Sequence, residues 1–268
     1  MFSSRYQHAD GYNGKVELVL YRVEDAVARI TLNRPEKRNA LNHEMILGLD
    51  AALLQAGSEA DARVILITAN GKDFCSGLDL LALDRGNDAT VMDHLASARR
   101  FANVILTMRR HKLPVISAVQ GRALGGGAGI ATASDLIIAS ESSAIGYPEI
   151  NIGFVPAIVA ALLRRSVPEK RLFEILAMGE TLPAAKAHAL GIVNRVFPDS
   201  DFEAGASAYA RELASKPASA LTLVKSLLYQ TDAMTFEKAL ENGVQINALS
   251  RMTDEARAGF ANFSRKKN

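Results

Sequence analysis

The chain has 268 residues, 49% of them hydrophobic and 22% charged, with a formal net charge of +2. This is the composition of a soluble globular protein with ample chain for one large core, and the charge is too mild to argue for nucleic acid. The single cysteine, Cys75, excludes an intrachain disulfide, and no run approaches the roughly 20 apolar residues that cross a bilayer.

Residues 1–14 read as a flexible polar tail without the apolar stretch of a secretory signal, so the expected location is the cytoplasm, or an organelle matrix in an organism that has one. KVELVLY (15–21) and AVARITL (26–32) are strand-like and joined by RVED, which predicts a hairpin. NRPEKRNA (33–40) is a polar loop. From Asn42 to about Ala60, Met45, Ile46, Leu49, Leu53 and Leu54 recur at helical spacing. VILITA (64–69) is a short buried strand, followed by the loop 70–80. A long helix is expected from about Val91 to His111, then a strand over 115–121, a glycine-rich segment, and a strand over 135–140. This alternation predicts an α/β core over 15–199. Beyond it, helical patterns at 201–214, 218–231, 234–249 and 253–265 predict a helical C-terminal subdomain, 200–268, that packs on the core or on another subunit.

The glycine-rich segment, ALGGGAGIATASD (123–135), fails the standard glycine motifs. No Lys follows to make a P-loop, Ile130 stands where a dinucleotide fingerprint needs its third glycine, and neither Ser117 nor Ser134 sits in a nucleophile elbow. His43-Glu44 begins like a zinc motif, but Leu47 ends the match, so no metal is expected.

Three segments make chemical sense together: FCSGLDL (74–80), SAVQGRALGGGAG (117–129) and YPEINIGFVPA (147–157). The first two each offer a loop running into a helix start, where free N–H groups and partial positive charge can stabilise an oxyanion. The third places Glu149 among Ile145, Tyr147, Ile150, Ile152, Phe154 and Val155, where desolvation would raise its pKa toward general-base range.

In order and spacing these segments resemble the enoyl-CoA hydratase/isomerase family, the crotonase superfamily, and the likeness runs from NRPEKRNAL (33–41) to ARAGFANFSRKK (256–267). The resemblance implies a crotonase-like spiral of ββα units and an acyl-CoA substrate whose thioester enolate is held by the N–H groups of Leu78 and Gly126, with Glu149 as the acid/base. It implies coenzyme A contacts at Lys37, Arg38, Ala40, Ser76, Asp79 and Leu80, and at Phe263 and Lys266 in the FSRKK ending, where Arg265 replaces the family's usual Glu. No separate cofactor, nucleic acid or membrane partner is expected, and assembly as a homotrimer or a hexamer is. Leu81, Leu83, the 91–108 helix and Phe154 are candidates for the acyl pocket; no charged residue is assigned to an acyl carboxylate, and Arg122, directly before the glycine segment, is the one to test.

One departure bears on the reaction. Family hydratases usually carry a second Glu two residues after the glycine triplet, where this chain has Gly129. Isomerase-type members often keep only the later Glu, yet GGG-x-G and IGFVPA also resemble hydratases of branched enoyl thioesters such as the methylglutaconyl type. Sequence alone ranks hydration first and double-bond isomerisation second. Other enolate chemistry, such as hydrolysis or decarboxylation, and a non-catalytic binding protein come after.

Overall fold

The computed structural model describes residues 17–80 and 89–265. The 1–14 tail, Leu81, Leu83 and Lys266 lie outside them. A six-stranded sheet runs in the order β1 (Val19–Glu24), β2 (Val27–Leu32), β3 (Val64–Ala69), β4 (Val115–Val119), β6 (Leu136–Ser140), β9 (Arg195–Phe197). Only β1 and β2 pair antiparallel; the rest are parallel, as helical crossovers require. The hairpin exists, but its turn is tighter than RVED. Glu24 faces Val27, and Asp25 and Ala26 both take positive φ, 51° and 62°. A two-residue turn of that hand matches the strand twist, so Arg22 to Glu24 stay in the ladder.

The first two helices begin at side-chain caps. α1 (His43–Ser58) is capped by Asn42, whose Oδ1 accepts the Met45 N–H at 2.9 Å. α2 (Val91–Arg110) starts in a capping box between Thr90 and Asp93. It buries Phe101, Val104, Ile105 and Met108 in its second half only.

A second sheet was not legible in the sequence. Its strands, β5 (Arg122–Leu124), β7 (Ala144–Gly146) and β8 (Thr181–Pro183), have three residues each, too few to show a period, and order as β5-β7-β8. It sets α3 (Gly126–Ala133) directly after β5 and the 3-10 turn Pro148–Ile152 directly after β7. Three short helices follow: α4 (Ala157–Leu163), α5 (Glu169–Ala177) and α6 (Ala184–Ala189).

The main core fills the face of the large sheet that carries α1, α2 and α3. On the opposite face, α7 (Phe202–Ala214) lays Ala206, Ala210 and Ala214 against Leu66, Ile116 and Ile138. α8 (Ala218–Thr231), α9 (Phe236–Met252) and α10 (Asp254–Arg265) follow, and α9 and α10 bury no residue. Among the described residues no helix is long and apolar enough to cross a membrane.

Candidate active site

The loop 70–80 is stitched into place from both sides. Ser76 N–H donates to Arg38 O, Leu41 N–H to Gly77 O and Asp79 N–H to Leu41 O, while Leu124 N–H donates to Cys75 O at 2.9 Å. Beneath it, buried Asn39 accepts from the Arg34 N–H and donates to the carbonyls of Asn70 and Asp73. Arg34 donates to Ala40 O and pairs with Asp79 at 2.7 Å. These buried polar groups hold a loop that has no regular structure of its own.

This frame brings Leu78 beside the start of α3. A Cβ placed on Gly126 would stand 3.4 Å from the Leu78 backbone nitrogen, so the two backbone segments approach closely. Among the described residues neither peptide N–H has a hydrogen-bond acceptor. The glycines are needed for the approach. A Cβ on Gly127 would fall 2.4 Å from the Cys75 carbonyl oxygen. Gly125 caps the helix at φ 51° and ψ −118°, a conformation that side-chain-bearing residues avoid.

Glu149 reaches the same spot from the other side. Its carboxylate covers Gly125, where a Cβ would lie 3.0 Å from Oε1, and Oε2 is buried with no hydrogen-bond partner. Burial pushes the carboxyl above the usual glutamate range, opposed in part by its own backbone N–H. An unpaired carboxylate oxygen beside two unpaired N–H donors can exchange a proton with a bound carbon acid while the donors take up the negative charge that develops.

Both groups open into a cavity of about 790 Å³ between α2 and residues 152–159. Its lining is mostly hydrocarbon, including Leu80, Leu95, Phe101 and Phe154. The polar side chains are His94, Ser97 and Glu149, so Glu149 is the only carboxylate on the wall among the described residues. The side of α3 at Gly129 is closed. A Cβ there would stand 3.0 Å from Val159 Cγ2 and 3.1 Å from Phe101 Cζ, both buried.

The structure therefore brings Leu78, Gly126 and Glu149 together, with Leu80 and Phe154 on the cavity wall and Lys37, Arg38, Ala40, Ser76 and Asp79 in the adjoining loops. Lys37 and Arg38 are exposed, as a phosphate contact requires, but the Asp79 carboxylate already pairs with Arg34. Phe263 is not on the cavity wall; it sits exposed on α10. Arg122 is not available to a charged acyl end, because its guanidinium holds Asp73 at 3.2 Å, and Asp73 is held below the usual carboxylate range by that contact despite its burial. Cys75 is buried, its thiol pushed up to about 12 by desolvation, which leaves it an inert packing residue. The residues missed in the sequence were the buttress of Arg34, Asn39 and Asp73 and the plug of Phe101 and Val159. The polar loop hid the first, and ordinary helical periodicity hid Phe101.

The chain is similar to known proteins over nearly its whole length. The chain is 34% identical over 241 residues to a Thermus thermophilus protein provisionally named an enoyl-CoA hydratase, covering 90% of this chain and 95% of that one. It is 33% identical to the 1,2-epoxyphenylacetyl-CoA isomerase of Escherichia coli, covering 94% and 97%. The crystal structure of an enoyl-CoA hydratase from Mycobacterium smegmatis superposes with a TM-score of 0.89 at 29% identity, over 94% of this chain and 97% of that one. Residues 22–268 match the family model for enoyl-CoA hydratase/isomerase, and the chain belongs to that family, with the crotonase fold.

Proposed function

We propose that the protein forms and reprotonates the enolate of an acyl-CoA thioester, with Glu149 as base and the N–H groups of Leu78 and Gly126 receiving the thioester oxygen. The observation that carries this is the buried, unpartnered Glu149 oxygen beside two unpartnered helix-start and loop donors.

For the reaction we place double-bond isomerisation ahead of hydration, reversing the order that sequence alone suggests. With a β,γ-enoyl thioester, Glu149 takes the α-proton, the electron pair moves into the dienolate, and the same carboxyl returns the proton at the γ-carbon. The double bond ends conjugated to the thioester, and the enzyme ends unchanged. Hydration needs a second group to orient and activate water. The wall at Gly129 carries Phe101 and Val159 instead of a carboxylate. Hydration is the second reading, supported by the hydratase names of other relatives and by His94 and Ser97, polar groups that could hold a water. The test is a panel of 3-enoyl-CoA and 2-enoyl-CoA substrates with products resolved by NMR and mass. Conversion of 3-enoyl to 2-enoyl without gain of water is expected; a 3-hydroxyacyl product would overturn the order.

Lys37, Arg38, Ser76 and Leu80 would hold the coenzyme A moiety. The exposed apolar side chains of α8 to α10, among them Leu228, Phe236, Leu240 and Phe260, support assembly of several copies, a homotrimer or a pair of them.

A further inference from the structure

Tyr147 is wholly buried two residues before Glu149, yet it carries a hydroxyl. That hydroxyl lies 3.0 Å from Thr132 Oγ1, in the last turn of α3. Thr132 donates its own proton to the Ala128 carbonyl at 2.7 Å. The shared hydrogen therefore belongs to Tyr147, which donates to Thr132. At the other end of the same short helix stands Gly126, on the wall of the cavity. Among the described residues, the other polar tie between this helix start and β7 is the Gly125 N–H to Gly146 O bond at 2.9 Å.

From this geometry we infer that Tyr147 is a positioning residue. Its hydroxyl locks the turn that carries the Glu149 carboxylate to the helix that carries the Gly126 N–H, so that base and anion donor keep one fixed separation. The two groups serve opposite ends of one charge movement: the carboxylate removes a proton from carbon, and the N–H receives the charge on oxygen. An error of an ångström in their separation is costly to rate and nearly free to binding, because the thioester is held mainly by its other contacts. The backbone bond at Gly125 anchors the entry of the helix only. The tyrosine fixes the far end, about 10 Å along the axis at 1.5 Å per residue.

The inference rests on Glu149 acting as the base, and the experiment separates the two. The readout is exchange of the α-protons of a saturated acyl-CoA for deuterium in D2O, followed by mass and NMR, which reads enolate formation whatever the later product. Wild-type exchange that Glu149→Gln abolishes is required by the functional reading; wild-type protein without exchange would sink that reading, and the tyrosine's role with it. Given exchange, Tyr147→Phe and Thr132→Val should each slow the maximal rate about 3- to 10-fold, the rate equivalent of one hydrogen bond, with half-saturation unchanged within 2-fold. Thr132→Ser, which keeps the hydroxyl, should restore the rate. The double variant Tyr147→Phe/Thr132→Val should be no slower than either single one, since both remove the same bond. Variants that lose thermal stability but exchange at the wild-type rate, or that combine multiplicatively, would overturn the inference.

Discussion

Helices α3 and α9 have opposite characters. α3 has eight residues, Gly126 to Ala133, of which seven are buried, and nearly all are Gly or Ala. α9 has seventeen residues and buries none, while Leu240, Val244 and Leu249 each expose more than half their surface. The first is poor in helix propensity and could not hold together outside its packing. It exists because its backbone, not its side chains, is wanted against Cys75 and Leu78. The second carries large apolar side chains that the described residues leave exposed. One helix is finished within the subunit; the other is a surface awaiting an apolar cover.

Five changes sharpen that contrast, from the largest effect down. Glu149→Gln should lower turnover by about 10²–10⁴, the range of a lost general base, with acyl-CoA binding retained; steady-state rates and calorimetry on one preparation decide it. Gly127→Ala should cost about 3 kcal/mol in urea unfolding, because its Cβ would strike the Cys75 carbonyl, which is backbone and cannot turn aside. Lys225→Met should cost about 2 kcal/mol by the same measurement. The Lys225 amine, buried beneath α8, donates to Met108 O, Leu113 O and Asp135 at 2.8, 2.9 and 2.8 Å, and its loss leaves those acceptors buried.

The fourth change uses pH. The Glu149 carboxyl titrates above its ordinary 4.5 in the folded chain. The folded state therefore holds that proton more tightly than the unfolded one, and the associated stability is full below pH 4.5 and lost as pH rises through the folded value. Glu149→Gln should accordingly melt higher than wild type at pH 7 and at the same temperature at pH 3. The turnover of the wild type should fall on acidification at a pH above the usual glutamate value. The smallest effect is expected at Leu240→Ser on α9, which should move subunit stability by no more than about 0.5 kcal/mol yet lower the mass seen by analytical ultracentrifugation. A change of stability without a change of mass would remove α9 from any interface.

The family resemblance and the three site segments were legible because they depend on local features: glycines in a row, a Pro-Glu pair in an apolar setting, loops running into helix starts. The first hairpin and the helices α1, α2, α7 and α8 were legible for the same reason, since amphipathic periods are written in consecutive residues. The second sheet was not, because a three-residue strand carries no period. Nor was the closure at Gly129, because Phe101 looks like any core residue of an amphipathic helix until the fold sets its ring 28 residues further along the chain. The same holds for Arg122, an unassigned cation in sequence that the fold spends on Asp73.

The sequence by itself determined the types of group available: backbone donors at glycine, one carboxylate in a hydrophobic stretch, helices rich in unpaired apolar side chains. These follow from residue chemistry and short-range periodicity. Only the tertiary structure decided that the Leu78 and Gly126 N–H groups meet without acceptors, that Glu149 stands over Gly125 with an unpartnered oxygen, and that Phe101 fills the space where a second acid would stand. Each of these is a contact between residues far apart in the chain, and such contacts are set by how the two sheets and α3 pack, which no local pattern encodes.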